Sequence, residues 1–124
     1  MLKTITGPAT FSLNATDSSA FVEARSVIKT PTETGYDTVG EPLRLSNFGA
    51  QSPMPVALAP GLYRVFVEFT VIENQNGGRY DYRYAVNGTD LFTSHGDVNT
   101  SADPHDTRVA QQDFLLVVKP AGQS

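Results

Sequence analysis

The chain reads as an all-β protein, an antiparallel β-sandwich of jelly-roll or Greek-key type, and three observations carry that reading. Apolar residues alternate with polar ones instead of recurring at helical spacing. Eight Pro and ten Gly punctuate the 124 residues. Turn signals return about every 8–12 residues, the spacing expected of short strands stacked into a sandwich or barrel. The length suits a single domain, residues 1–124, large enough for a core of its own. No internal repeat, charge block or low-complexity tract divides it.

The first elements are short. Lys3 to Thr6, Thr10 to Asn14 and Phe21 to Ile28 are β-prone, with Phe21, Glu23, Arg25 and Val27 in imperfect alternation. Asp17 to Ile28 is the one window where a helix competes. Lys29 to Gly40, carrying Pro31, Gly35 and Gly40, is expected to be a long loop. Glu41 to Ser46 and Pro55 to Leu58 are further candidate strands. Leu62 to Glu73 is the clearest: Tyr63, Val65, Val67, Phe69 and Val71 share one face. The other face carries Arg64, Glu68 and Thr70, yet Leu62, Phe66 and Ile72 make it less polar than a pure solvent face.

Asn74-Gln75-Asn76-Gly77-Gly78 then supplies residues that tolerate positive φ, and Arg79 to Val86 alternates again. Asn87-Gly88, the strongest short hairpin signal, returns the chain through Thr89 to Thr93. Residues 61 to 93 are therefore predicted to form a three-stranded antiparallel meander. Ser94 to Thr107 reads as a second long loop, and Asp113 to Lys119 as a hydrophobic closing strand. Met1 to Ala20 and Asp113 to Ser124 are expected to be extended terminal arms.

The segment Pro60-Gly61-Leu62-Tyr63, opening a long alternating strand that is followed by a second strand and Asn87-Gly88, resembles the complement-type globular heads and tumour-necrosis-factor-like jelly rolls. The resemblance covers residues 60 to 92. It implies a Gly-x-Tyr strand at the packed centre of the subunit, with aromatics near a threefold axis. In size, acidic balance, lack of cysteine and abundance of Thr, Gly and Asn, the chain is also similar to the small capsid-decorating and fibre proteins of tailed bacteriophages.

Charge and composition exclude several classes. Nine Lys and Arg face thirteen Asp and Glu, a net charge of −4, and the cations are scattered. A basic stripe for nucleic acid or for an anionic membrane is missing, so neither partner is expected. The absence of cysteine removes disulfides, thiolate metal sites and cysteine nucleophiles together. The first twenty residues lack an apolar h-region, so no secretory signal is expected. The sequons at Asn14, Asn87 and Asn99 then read as chance matches in a Thr-rich chain.

Candidate chemistry is sparse. Both histidines, His95 and His105, fall in one segment with Asp97, Asp103 and Asp106. Such a set could hold zinc or another divalent ion, and Asp97, Asn99 and Asp103 could hold calcium, but no known ligand spacing is present. The competing reading is a solvated loop whose Asp and Asn side chains cap turns. Ser94 or Ser101 could join a histidine and an aspartate, yet no nucleophile elbow and no oxyanion hole accompany them. No set of catalytic roles can be assigned, so the chain is read as non-enzymatic and without a cofactor.

Tyr80, Tyr82 and Tyr84 form a row that could stack on a sugar or, as the favoured reading, sit in a core beside Tyr63, Val65 and Val67. Arg79, Asp81 and Arg83 are expected beside Arg64 and Glu68 as cross-strand charge pairs. These five residues, with Phe114 and Leu115, are the candidate interface positions. The functional expectation is a virion structural protein, a bacteriophage capsid decoration or cement protein. It would stabilise the shell by binding the major capsid protein and copies of itself, as a trimer or dimer. A carbohydrate-binding module or a receptor-binding piece of a phage tail or fibre is the alternative.

Overall fold

Period-two alternation is realised as strands in two facing sheets. A computed structural model describes residues 1–47, 53–72, 78–97 and 107–120. The strands are β1 (Leu2–Thr6), β2 (Ala9–Asn14), β3 (Phe21–Thr32), β4 (Gly35–Thr38), β5 (Leu43–Ser46), β6 (Met54–Val56), β7 (Gly61–Ile72), β8 (Arg79–Val86), β9 (Thr89–Asp97) and β10 (Thr107–Lys119). The larger sheet has the order β1-β10-β7-β3-β4, with β5 also paired to β3; the smaller has the order β6-β2-β8-β9. β1 runs parallel to β10, and the remaining pairs are antiparallel. The predicted all-β sandwich is what forms. No helix occurs among the described residues: Asp17 to Ala20 belongs to a turn, and Phe21 to Ile28 is the first part of β3.

The expected meander does not form. β7 belongs to the larger sheet, between β10 and β3, whereas β8 lies in the smaller one, between β2 and β9. The chain therefore crosses between sheets after β7, and only the β8–β9 half of the prediction is a hairpin. The reason is burial. Tyr63, Val65, Val67, Phe69 and Val71 point inward from one sheet, and Tyr82, Tyr84 and Val86 point inward from the other. Packed face to face across the sandwich they cover each other. As neighbours in one sheet, both rows would still need a second layer.

Two other expectations change. Lys29 to Gly40 is a β-hairpin rather than a loop: β3 continues to Thr32, and β4 returns with Tyr36 opposite Pro31 and Thr38 opposite Lys29. The arms are woven into the body. Met1 to Ala20 holds β1 and β2, and Asp113 to Lys119 is the end of β10, which lies between β1 and β7. In the second long loop, Ser94 to Asp97 extends β9, and residues 98–106 lie outside the described set.

Aromatic rings dominate the space between the sheets. Phe69 of β7 stacks on Tyr82 of β8 with ring centroids 4.7 Å apart and meets Tyr84 edge-on at 5.6 Å. Phe114 of β10 and Phe92 of β9 close the cluster at 5.9 Å, and Phe11 approaches Tyr84 at 6.4 Å. Each such ring pair stabilises by about 0.5–1.5 kcal/mol beyond the area it buries. One polar pair spans this interior: the hydroxyls of Ser26 on β3 and Tyr84 on β8 share a hydrogen bond of 2.8 Å with both residues fully buried.

The β8–β9 turn behaves as its Asn-Gly sequence requires. Asn87 and Gly88 both adopt positive φ, 50° and 82°, the type I′ geometry whose twist matches the flanking strands. Asn87 also clamps the turn to the start of β2. Its side-chain oxygen accepts from Thr10 N at 2.7 Å, and its amide donates to the Pro8 carbonyl at 3.3 Å.

Candidate functional site

The two outer faces of the sandwich differ, and the difference locates the candidate site. The smaller sheet turns Thr10, Ser12, Asn14, Asp81, Arg83, Thr93, His95 and Asp97 outward, an ordinary wet surface. The larger sheet instead presents an apolar field. Leu2, Leu115 and Arg64 follow one another across β1, β10 and β7, and Val117 lies beside Leu62 in the neighbouring row. Leu2 is 62% exposed, Leu62 44%, Leu115 39%, and Tyr36 of the β3–β4 hairpin 46%.

A cation–aromatic cluster sits within this field. Arg64 bonds the Asp113 carboxylate oxygen through Nε at 2.9 Å and Nη2 at 2.6 Å, and through Nη1 it donates to the Tyr36 hydroxyl at 3.2 Å. Its guanidinium lies 5.2 Å from the Phe66 ring centroid and 5.9 Å from that of Tyr36, while those two rings meet edge-on at 6.5 Å. The Tyr36 hydrogen bond, then Asp113, raises the Arg64 pKa above its ordinary value. Lys29 Nζ stands over the Phe66 ring at 5.6 Å. Arginine and aromatic side chains amid aliphatic ones make up the composition that anchors protein interfaces.

Below this cluster, Val27 and Phe66, opposite each other on β3 and β7, floor two adjoining hollows of about 250 and 420 Å3. Arg25, Lys29, Thr38, Pro42, Glu68 and Gln111 rim them. A third hollow, about 610 Å3, opens at the end of the sandwich among Ser12, Asn14, Thr16, Ser18, Ser46 and Asn47. Several of its polar atoms already serve turns. Asn14 accepts from Thr16, Asn47 bridges Val22 and Ala20, and Ser18 bonds the Asp81 backbone. Among the described residues that line it none carries a titratable side chain, so its serine and threonine hydroxyls have no acid or base beside them there.

The predicted site residues separate accordingly. Arg64, Glu68 and Leu115 lie on the open face of the larger sheet, whereas Arg79, Asp81 and Arg83 lie on the opposite side of the molecule. The expected charge pairs between the two sets are therefore replaced: Arg64 pairs with Asp113, and Glu68 accepts from Gln111 at 3.2 Å. Phe114 is a core residue at 1% exposure, because β10 alternates and Leu115 takes the outward position.

The tyrosine row offers no platform for a sugar. Tyr82 and Tyr84 are buried, their rings engaged by Phe69, and burial raises the pKa of both phenols. Tyr80 is half-buried, stacked beside Tyr82 at 6.1 Å, with its ring over Gly96 of β9. A Cβ at Gly96 would come within 2.9 Å of the Tyr80 hydroxyl, so the glycine makes room for the ring.

Of the histidine–aspartate set, His95 and Asp97 are exposed on β9, opposite Asp81 and Arg79. Asp103, His105 and Asp106 lie outside the described residues, as do Asn99 and Ser101. Among the described residues no three His, Cys, Asp or Glu side chains gather as metal ligands would.

Sequence reasoning missed Tyr36, Lys29 and Asp113. The first two fall in the segment expected to be a loop, and Asp113 becomes Arg64's partner only once β10 pairs with β7. The uneven second face of β7, with Leu62, Phe66 and Ile72, was the available signal. No family model, no curated protein and no solved structure matches the chain.

Proposed function

We propose that this chain is a non-enzymatic structural protein of a virion, a bacteriophage capsid decoration protein that cements the shell through the open face of its larger sheet. The observation that supports this reading is that face: exposed Leu2, Leu62, Leu115 and Tyr36 around an Arg64–Asp113 ion pair. Its six strands hold 50 residues, and at about 3.3 Å along and about 4.8 Å across for each they give the whole face an area on the order of 800 Å2. That matches the roughly 800 Å2 that each partner contributes to a standard stable interface.

The physics suits cementing. An inter-sheet core makes a stiff body, and a broad face that mixes exposed apolar side chains with charged ones adds stability by covering area across a joint between shell subunits. The Arg64–Asp113 pair sets orientation, since charged groups in an interface act more on specificity and register than on raw affinity. The major capsid protein, and copies of this chain around a symmetry axis, would be the partners.

Sedimentation of a native lysate tests the reading. Pelleting with large particles at hundreds of copies each is the expected result, and Leu62→Asp combined with Leu115→Asp should release the protein to the supernatant. A chain that stays soluble in the presence of particles would refute the cement role.

A further inference from the structure

The groove floored by Val27 and Phe66 carries an electrostatic feature that the apolar field does not explain. Arg25 and Arg44 stand directly opposite each other on β3 and β5, and Lys29 and Arg64 do so on β3 and β7. Like charges directly opposite across a sheet are destabilising. Arg25 also faces Glu68, whose carboxylate keeps its charge while accepting from the neutral Gln111 amide, and Arg64 is held by Asp113. Arg25, Lys29 and Arg44 close no ion pair among the described residues. In a chain of net charge −4, Arg25 and Lys29 line this groove and Arg44 and Arg64 stand beside them, against the carboxylates of Glu68 and Asp113.

We infer that this groove takes an acidic, extended peptide segment of the protein to which the chain binds. One apolar side chain of the segment seats between Val27 and Phe66, beneath Pro42 and Thr38. Carboxylates before and after it meet Arg25 with Arg44 on one side and Lys29 on the other. An extended peptide repeats same-side residues about every 6.6 Å, twice its rise per residue. The cationic rows at Arg25 and Lys29, four residues apart on β3, are separated by about 13 Å on the same basis. The segment therefore reads as a central apolar residue with acidic residues two positions before and two after it. The anionic partner relieves the Arg25–Arg44 opposition and gives Lys29 the counter-charge it lacks, and this supplies specificity along with affinity. The identity of the partner as a shell protein rests on the proposed function; the chemistry of the groove does not.

The test uses a fluorescein-labelled peptide Asp-Glu-Asp-Glu-Leu-Glu-Asp-Glu-Asp and its Asn/Gln counterpart, titrated with the full chain by anisotropy. The acidic peptide should bind, and its affinity should fall steeply between about 0.01 and about 0.15 M salt, as the Debye length shrinks from about 30 to about 8 Å. Arg25→Gln with Lys29→Gln should weaken it by about tenfold or more. Arg79→Gln with Arg83→Gln, on the opposite face, should leave it unchanged. Neither double variant should lower the unfolding midpoint, since all four side chains lie at the surface, exposed or, for Lys29, half-buried, and removing Arg25 and Lys29 relieves like-charge oppositions.

Equal binding of the Asn/Gln peptide, equal binding of poly-aspartate, or equal weakening by the Arg79/Arg83 variant would overturn the inference. So would competition by dimerisation of the chain itself, which would put a second copy in the groove. Particle sedimentation separates the two readings. If the wild type pellets and the Arg25/Lys29 variant pellets equally well, the groove inference fails and cementing stands. If the wild type never pellets but the peptide titration behaves as expected, cementing fails and the groove stands.

Discussion

Removing the Tyr84 hydroxyl should destabilise the protein more than its single atom suggests, and removing its partner as well should recover much of the loss. Tyr84 and Ser26 are fully buried and bond each other at 2.8 Å across the sandwich. Tyr84→Phe keeps the ring contacts with Phe69, Phe11 and Phe114 but strands the Ser26 hydroxyl. A buried polar group left unsatisfied costs about 1–3 kcal/mol. Ser26→Ala strands the Tyr84 hydroxyl at a similar cost. The double variant strands neither, so its loss should fall short of the sum of the singles by about 1–2 kcal/mol.

Urea unfolding of the four proteins at neutral pH measures this coupling, and each kcal/mol also moves the thermal midpoint by about 3–6 °C at this chain length. Alkaline pH supplies an independent check. Burial raises the Tyr84 pKa, and the Ser26 hydrogen bond only partly opposes it. The folded state therefore keeps the proton that the unfolded state releases above its ordinary pKa near 10. The stabilisation is complete below about pH 10 and is lost as pH rises toward the folded-state value, at about 1.4 kcal/mol per pH unit. Tyr84→Phe removes this contribution, so its deficit relative to wild type should shrink as pH rises past 10. Strictly additive singles, or a deficit that does not change above pH 10, would refute the idea of an inter-sheet hydroxyl pair.

Phe69→Ala should be the most damaging single truncation, at about 3–5 kcal/mol, because its ring fills the centre of the aromatic cluster and denaturant unfolding will read the cavity directly. Asn87→Ala should cost about 1–2 kcal/mol, since it loses two side-chain hydrogen bonds and a residue that tolerates φ of 50°. Asn87→Gly should recover the backbone part of that loss but not the clamp on β2. Arg64→Ala should leave the unfolding midpoint nearly unchanged, the ion pair being half-exposed, while lowering co-sedimentation with particles.

Much of this protein is legible before folding, because the pleat forces alternation. The β7 row Tyr63 to Val71, the β8 row Tyr82 and Tyr84, and the Asn87-Gly88 turn each follow from residues adjacent in the chain. The β7 row and the rings of Tyr82 and Tyr84 point inward, whereas Tyr80, the first of the predicted row, is half-buried. Legibility ends at partner choice. Alternation states which residues share a face of a strand but not which sheet that strand joins, and a hairpin and a crossover satisfy the same period.

For β7 the decision came from β10, some forty residues on, which pairs with it from Gly61 to Ile72, and from β3 on the other side. For β8 it came from β2. The candidate site inherits the same limit. Arg64 and Glu68 could be read as charged, but Asp113, Tyr36 and Lys29 become their neighbours only through strand pairing between distant segments. The sequence by itself determined the class, the turns and the two-faced strands, which depend on local stereochemistry and on burial as such. The tertiary structure decided which faces meet, and so which face was left uncovered, because that choice is made by the total area buried when all the strands are assembled at once.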